Sequence, residues 1–171
     1  MIKDNKRYFI ATIIMTALAV VINAFIIMQS CLDAVQSTES SSFAVNLFKN
    51  IINAFKADTN NESNIGTFTS VIRKLIGHFG LFLVSGVISS WALHLWIKPL
   101  TWYKNYRFIY GSLTFGLFLA ALTEFIQTYT PGRSGEITDV LIDFGGYLLG
   151  FSIIFLILFL LQRNKEKGEE V

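Results

Sequence analysis

The stretch TEFIQTYTPGRSGEITDVLIDFGGYLLG, residues 123–150, sets two apolar runs on either side of a short break and threads Glu124, Arg133, Glu136, Asp139 and Asp143 through them. The break holds Pro131, Gly132 and Gly135, residues that stop a helix and turn the chain. The apolar runs extend outward to residues 108–129 and 140–161. At about 1.5 Å of rise per residue, each is long enough to cross the roughly 30 Å core of a bilayer. A connection of about ten residues makes two such helices antiparallel neighbours. The charges are therefore expected to lie together at one end of a helical pair.

The rest of the chain follows the same pattern. Its 171 residues are 53% hydrophobic and only 15% charged, and 16 of them are Phe. Typical soluble domains carry about 25% charged residues. Two further runs, residues 8–28 and 77–97, are also long enough to span. The sequence predicts an all-α integral membrane bundle of four transmembrane helices, forming a single membrane domain over 1–171. The first run follows Lys3, Lys6 and Arg7, as a signal peptide would. It is too long for one and no A-x-A cleavage site follows, so it reads as an uncleaved anchor. The lone Cys31 excludes an internal disulfide and a cysteine-based zinc site. A net charge of +2 gives no footing for a nucleic-acid partner.

Basic residues set the expected direction of insertion. Lys3, Lys6 and Arg7 precede the first span, Lys98, Lys104 and Arg107 lie between the second and third, and Arg163, Lys165 and Lys167 follow the fourth. This places both termini in the cytoplasm of a multi-pass cell-membrane protein. Residues 29–76 then form an extracytoplasmic loop. Within it Phe43, Leu47, Phe48, Ile51, Ile52 and Phe55 recur at helical spacing, which predicts a short amphipathic helix behind Ser42.

On this topology His78, Glu124, Gln127, Arg133, Asp139 and Asp143 gather in one layer near the outer surface. A carboxylate within the bilayer costs on the order of 3 kcal/mol at the centre and less near the edge. Arg133 is the obvious donor to Glu124 or Asp143. Asp139, Asp143, Gly146 and Gly150 repeat at four, three and four residues and share one helix stripe. Gly146 and Gly150 form a G-x-x-x-G pair suited to close helix packing. Thr138 or Asp139 is suited to cap the fourth helix. The polar residues admit a helix-pinning role, a ligand-binding role or proton chemistry. For the last, His78 and Glu124 are the catalytic candidates. No calcium-loop, zinc, P-loop, nucleophile-elbow or Rossmann motif is present, so no metal and no cofactor is expected.

These residues resemble the VanZ-like family, named for an accessory protein of glycopeptide-antibiotic resistance. The family pattern is E-x-x-Q closing one span, a loop Arg, then D-x-x-x-N-x-x-G-x-x-x-G opening the next. Glu124, Gln127, Arg133, Asp139, Gly146 and Gly150 stand at the matching positions. The segment RKLIGHFGLF, residues 73–82, supplies the matching Lys74 and His78. Asp143 stands where the pattern has Asn, which adds an acidic group.

The resemblance implies a cell-envelope protein linked to resistance against teicoplanin-like lipoglycopeptides. Lys74, His78, Glu124, Gln127, Arg133, Asp139 and Asp143 are its candidate ligand-binding residues. The expected partner is a membrane lipid, a lipid-linked cell-wall precursor or the lipoglycopeptide itself, and an oligomer is compatible with the sequence. An intramembrane enzyme acting on lipid-linked substrates and a structural or assembly subunit are the alternatives, the balance lying against an enzyme.

Overall fold

A computed structural model describes residues 2–32, 74–97 and 106–169, with side chains from 6, 77 and 106 onward in the three segments and as far as 164 in the last. The expected amphipathic helix near residues 42–55 lies outside the described residues. The chain forms α1 (Ile2–Cys31), a π-helical turn (Lys74–Gly80) that runs directly into α2 (Leu81–Ile97), α3 (Tyr106–Gln127) and α4 (Ile137–Glu169). No strand occurs among the described residues. Four segments are long and apolar enough to cross a membrane: Lys6–Cys31, Gly77–Ile97, Tyr106–Gln127 and Ile137–Asn164.

The surface of the bundle is greasier than its interior in several places. Val21, Phe118, Phe125 and Leu141 are all more than half exposed, while Ser85, Ser90, Ser112, Thr123 and Asp143 are buried. This follows from the solvent. Lipid accepts apolar side chains but offers no hydrogen bonds, so polar groups turn inward and find one another.

α2 and α4 make the most extensive contact, and glycines set it. A Cβ on Gly86 would collide with the Tyr147 carbonyl, one on Gly146 with the Phe79 carbonyl, and one on Gly150 with the Leu83 carbonyl. Bare Cα atoms let these backbones approach where no larger residue fits. Around the crossing pack Phe82, Phe108, Leu119, Tyr147, Phe151 and Ile154. Tyr147 also carries a polar tie. Its hydroxyl is 3.2 Å from Ser112 Oγ, which is 2.7 Å from Ser90 Oγ, so one hydroxyl chain links α4, α3 and α2.

α1 leans on α2 through a polar ladder. Tyr8 donates to the Leu95 carbonyl at 2.6 Å, and Trp96 Nε1 donates to Thr16 Oγ1 at 2.9 Å. Further along, Ser85 donates to Asn23 Oδ1 at 2.6 Å, and Asn23 Nδ2 donates to Ser89 Oγ at 3.0 Å. The start of α1 thus meets the end of α2, and the two run antiparallel. The end of α1, the π-helical turn, the end of α3 and the start of α4 share the other end of the bundle. That end positions the candidate site.

Gly86→Ala is expected to destabilise the bundle by about 1–3 kcal/mol, the usual cost of overpacking. Gly111→Ala, whose new Cβ would meet only Leu93 at an ordinary 3.6 Å, should be neutral or gain up to about 1 kcal/mol of helix propensity. Unfolding curves of the two variants in detergent micelles check the contrast.

Candidate functional site

Two local features build the site. The first is the α3–α4 connection. α3 ends in tightening turns: Tyr129 N donates to the Ile126 carbonyl at 3.0 Å and Thr130 N to the Gln127 carbonyl at 3.1 Å. Thr130-Pro131-Gly132-Arg133 then turns back, with Arg133 N on the Thr130 carbonyl at 3.1 Å and Gly132 at φ 72°. That left-handed value at the third turn position favours Gly, and Pro suits the second. Gly135 lies against the end of α3, where a Cβ would strike the Glu124 carbonyl. This approach delivers the Glu136 backbone N–H to Glu124 Oε2 at 3.1 Å. Glu136 also caps α4, immediately before its first residue. Its carbonyl accepts from Asp139 N at 3.0 Å and Val140 N at 3.2 Å, so the cap falls on Glu136 rather than on Thr138 or Asp139.

The second feature is the π-helical turn. A π turn is a local widening of the helix and is frequent at functional sites. His78 stands within it, between Gly77 and Phe79. Nothing in the residue pattern signals this widening, because hydropathy does not distinguish an α from a π turn. Lys74 opens the turn, and its side chain lies outside the described residues.

Together these features bring three groups into contact. His78 Nδ1 is 3.2 Å from Asp143 Oδ1 and 3.4 Å from Oδ2, with hydrogen-bond geometry only toward Oδ2. The same nitrogen is 3.9 Å from Glu124 Oε1. Glu124 Oε1 also accepts from Gln127 Nε2 at 2.8 Å. Asp143 is fully buried, Glu124, Gln127 and Asp139 are nearly so, and His78 keeps a partly exposed edge.

Arg133 also ties this end of the bundle to α1. Its Nη1 donates to the Gln29 carbonyl at 3.1 Å, at the end of α1. Thr130 reinforces that join, donating to the Ser30 carbonyl at 3.1 Å. Glu124 accepts from Gln127 Nε2 and the Glu136 backbone, and Asp143 pairs with His78. Gly146 and Gly150, on the same stripe as Asp143, lie at the backbone of the π turn and of α2. Glu136 and Gly135 were not singled out from sequence as site-building residues; a glycine between a turn and a helix start was the available signal.

Chemically, the cluster is an imidazole nitrogen facing two buried carboxylates, with one partly open side. It can hold a proton, a cation or a ligand that donates hydrogen bonds.

Against known proteins, a family model described as VanZ/LLP1 matches residues 10–159. The match covers most or all of each of the four membrane-length helices and every described site residue, and the chain belongs to this family. No curated protein and no solved structure matches it.

Gly135→Ala should cost about 1–3 kcal/mol of stability, because its Cβ meets the backbone carbonyl of Glu124, which cannot yield, as well as the Thr128 methyl. Ser134→Ala, next door and exposed, should stay within about 0.5 kcal/mol of the parent. Detergent unfolding midpoints measure both.

Proposed function

We propose that this VanZ/LLP1-family protein sits in the cell membrane with both termini in the cytoplasm. The end of the bundle that carries His78, Glu124, Gln127, Arg133, Asp139 and Asp143 then faces outward. In this reading the cluster receives the polar part of an amphiphile: a lipid headgroup, a lipid-linked cell-wall precursor or a lipoglycopeptide. Binding there lowers the damage done by teicoplanin-like drugs.

The observation that carries the reading is the burial of Glu124, Gln127, Asp139 and Asp143 at one end of a bundle whose flanks are apolar. Buried ionisable groups in a membrane protein mark a functional site by default. The partly exposed His78 gives the cluster an opening. An amphiphile held in the surrounding lipid can present its headgroup to that opening while its chains stay in the bilayer. A lipidated glycopeptide satisfies this geometry, and one without a chain satisfies it less well. Family membership adds weight, since the family takes its name from glycopeptide resistance.

A second reading is supported by the closeness of His78 to Asp143 and Glu124, an arrangement that can carry a proton during turnover of a lipid-linked substrate. It predicts an altered lipid or precursor pool on expression. Lipid and precursor profiles identical to those of the empty-vector strain would argue against it.

Expression in a drug-sensitive Gram-positive host tests the main reading. Protection should be larger against teicoplanin than against vancomycin. It should fall to the empty-vector level in Glu124→Gln and Arg133→Ala at matched protein amounts. Equal protection by all three proteins would refute it, as would labelling of a cysteine at position 133 from the cytoplasmic side alone.

A further inference from the structure

We propose that His78, Glu124 and Asp143 form a binding site for a divalent transition-metal ion of the zinc type. The inference is independent of what the cluster receives from the lipid, so either reading stands if the other fails.

The first argument is geometric. One ligand atom from each residue can be chosen so that all lie within 4.8 Å of one another. His78 Nδ1 lies 3.2 Å from Asp143 Oδ1 and 3.9 Å from Glu124 Oε1. An ion with bonds of about 2.0–2.2 Å places neighbouring ligand atoms roughly 3–4 Å apart. Both separations from Nδ1 fall in that range and the third lies within 4.8 Å, although the side chains come from the π turn, the end of α3 and the start of α4.

The second argument is an unmet need. Asp143 is wholly buried, and its Oδ1 accepts no hydrogen bond among the described residues. The oxygen points toward the imidazole, yet the hydrogen bond runs to Oδ2. A buried carboxylate oxygen is rarely left in this state. A cation seated between Oδ1, Nδ1 and Oε1 satisfies it and offsets the two adjacent carboxylates.

The third argument concerns ligand type and support. An imidazole nitrogen with two carboxylate oxygens suits zinc or manganese. Calcium and magnesium prefer oxygen alone. Coordination through Nδ1 uses its lone pair and leaves the ring proton on Nε2, so the bound ion replaces the hydrogen that Nδ1 otherwise donates to Asp143. Glu124 is oriented from behind by Gln127 Nε2 on Oε1 and Glu136 N on Oε2. Oε1 retains a second lone pair for the ion. Such outer partners are a regular part of metal sites. Three protein ligands leave at least one coordination position for water or an anionic oxygen on the exposed side of His78.

The test uses the full chain in detergent, with a purification tag free of histidine, stripped with chelator and titrated with Zn²⁺ alone. The expected result is one saturable site per chain, a rise in melting temperature on binding, and X-ray absorption showing one nitrogen among oxygen ligands. Asp143→Asn, which preserves side-chain shape, should weaken binding by roughly 100-fold or more, at least the loss that removing an outer partner can cause. His78→Gln should do the same if the Asn variant folds poorly. Ser134→Ala should bind as the parent does, since Ser134 is exposed and supplies no ligand atom. Absence of saturable Zn²⁺ binding in the parent would overturn the proposal. So would parent-like binding in both Asp143→Asn and His78→Gln, or a site that Ca²⁺ or Mg²⁺ fills in preference to Zn²⁺.

Discussion

The structure depends on keeping the Asp143 carboxylate away from lipid. The bilayer core supplies no water, so a polar atom on a spanning helix must find its partner within the protein. Asp143 lies near the start of α4 and is fully buried. Its partner cannot come from its own helix, whose backbone donors are already used beyond the first turn. It comes from His78, 65 positions away in sequence, on a turn that is widened into a π form. The position of the α2 entry is therefore tied to a charge on α4. Glu124 is satisfied from the other direction, by its own helix through Gln127 and by the connecting loop through Glu136. Two adjacent carboxylates are thus held by two separate devices, one tertiary and one local.

The same constraint explains the rest of the interior. The hydroxyl chain Ser90–Ser112–Tyr147 and the group Asn23, Ser85 and Ser89 are short hydrogen-bonded chains, each joining different helices. In water such bonds exchange with solvent at little net gain. Inside a bilayer they fix how each helix is rotated about its axis, because a residue turned toward lipid loses its partner. Apolar contacts add packing, but lipid competes with them on nearly equal terms. The polar chains therefore specify this arrangement more narrowly than the aromatic core around Phe108 and Phe151 does.

This division also explains what was legible in the sequence. Four apolar runs of membrane length imply four helices on physical grounds alone, and the helices are there. The short Pro-Gly-containing break between residues 127 and 137 implies neighbouring, antiparallel helices. What a hydropathy pattern leaves out is rotation: it does not say which face of α2 meets α4. The pairing of His78 with Asp143 depends on that rotation, and so does the turn of Arg133 toward Gln29. Charge complementarity suggested Arg133 for the carboxylates. The loop geometry imposed by Gly132 and Gly135 also sends its Nη1 to the end of α1, a contact that charge complementarity does not suggest. The π turn was hidden for a related reason, since it is a change in backbone register that leaves composition untouched.

Packing and chemistry at this end of the bundle cannot be varied separately. Gly146 sits against the carbonyl of Phe79, the residue directly after His78. Gly146 also lies three positions beyond Asp143 on α4, on the same face. The bare Cα at 146 thus sets how near the π turn comes to α4, and with it the separation of imidazole and carboxylate. A side chain at 146 would push the turn outward before it changed any polar residue, leaving Asp143 buried without its partner. A second such contact, Gly150 on the backbone of Leu83, holds the helix axes together one turn further along. The glycine stripe is therefore part of the site in a physical sense, because it supplies the distance over which the site's charges act.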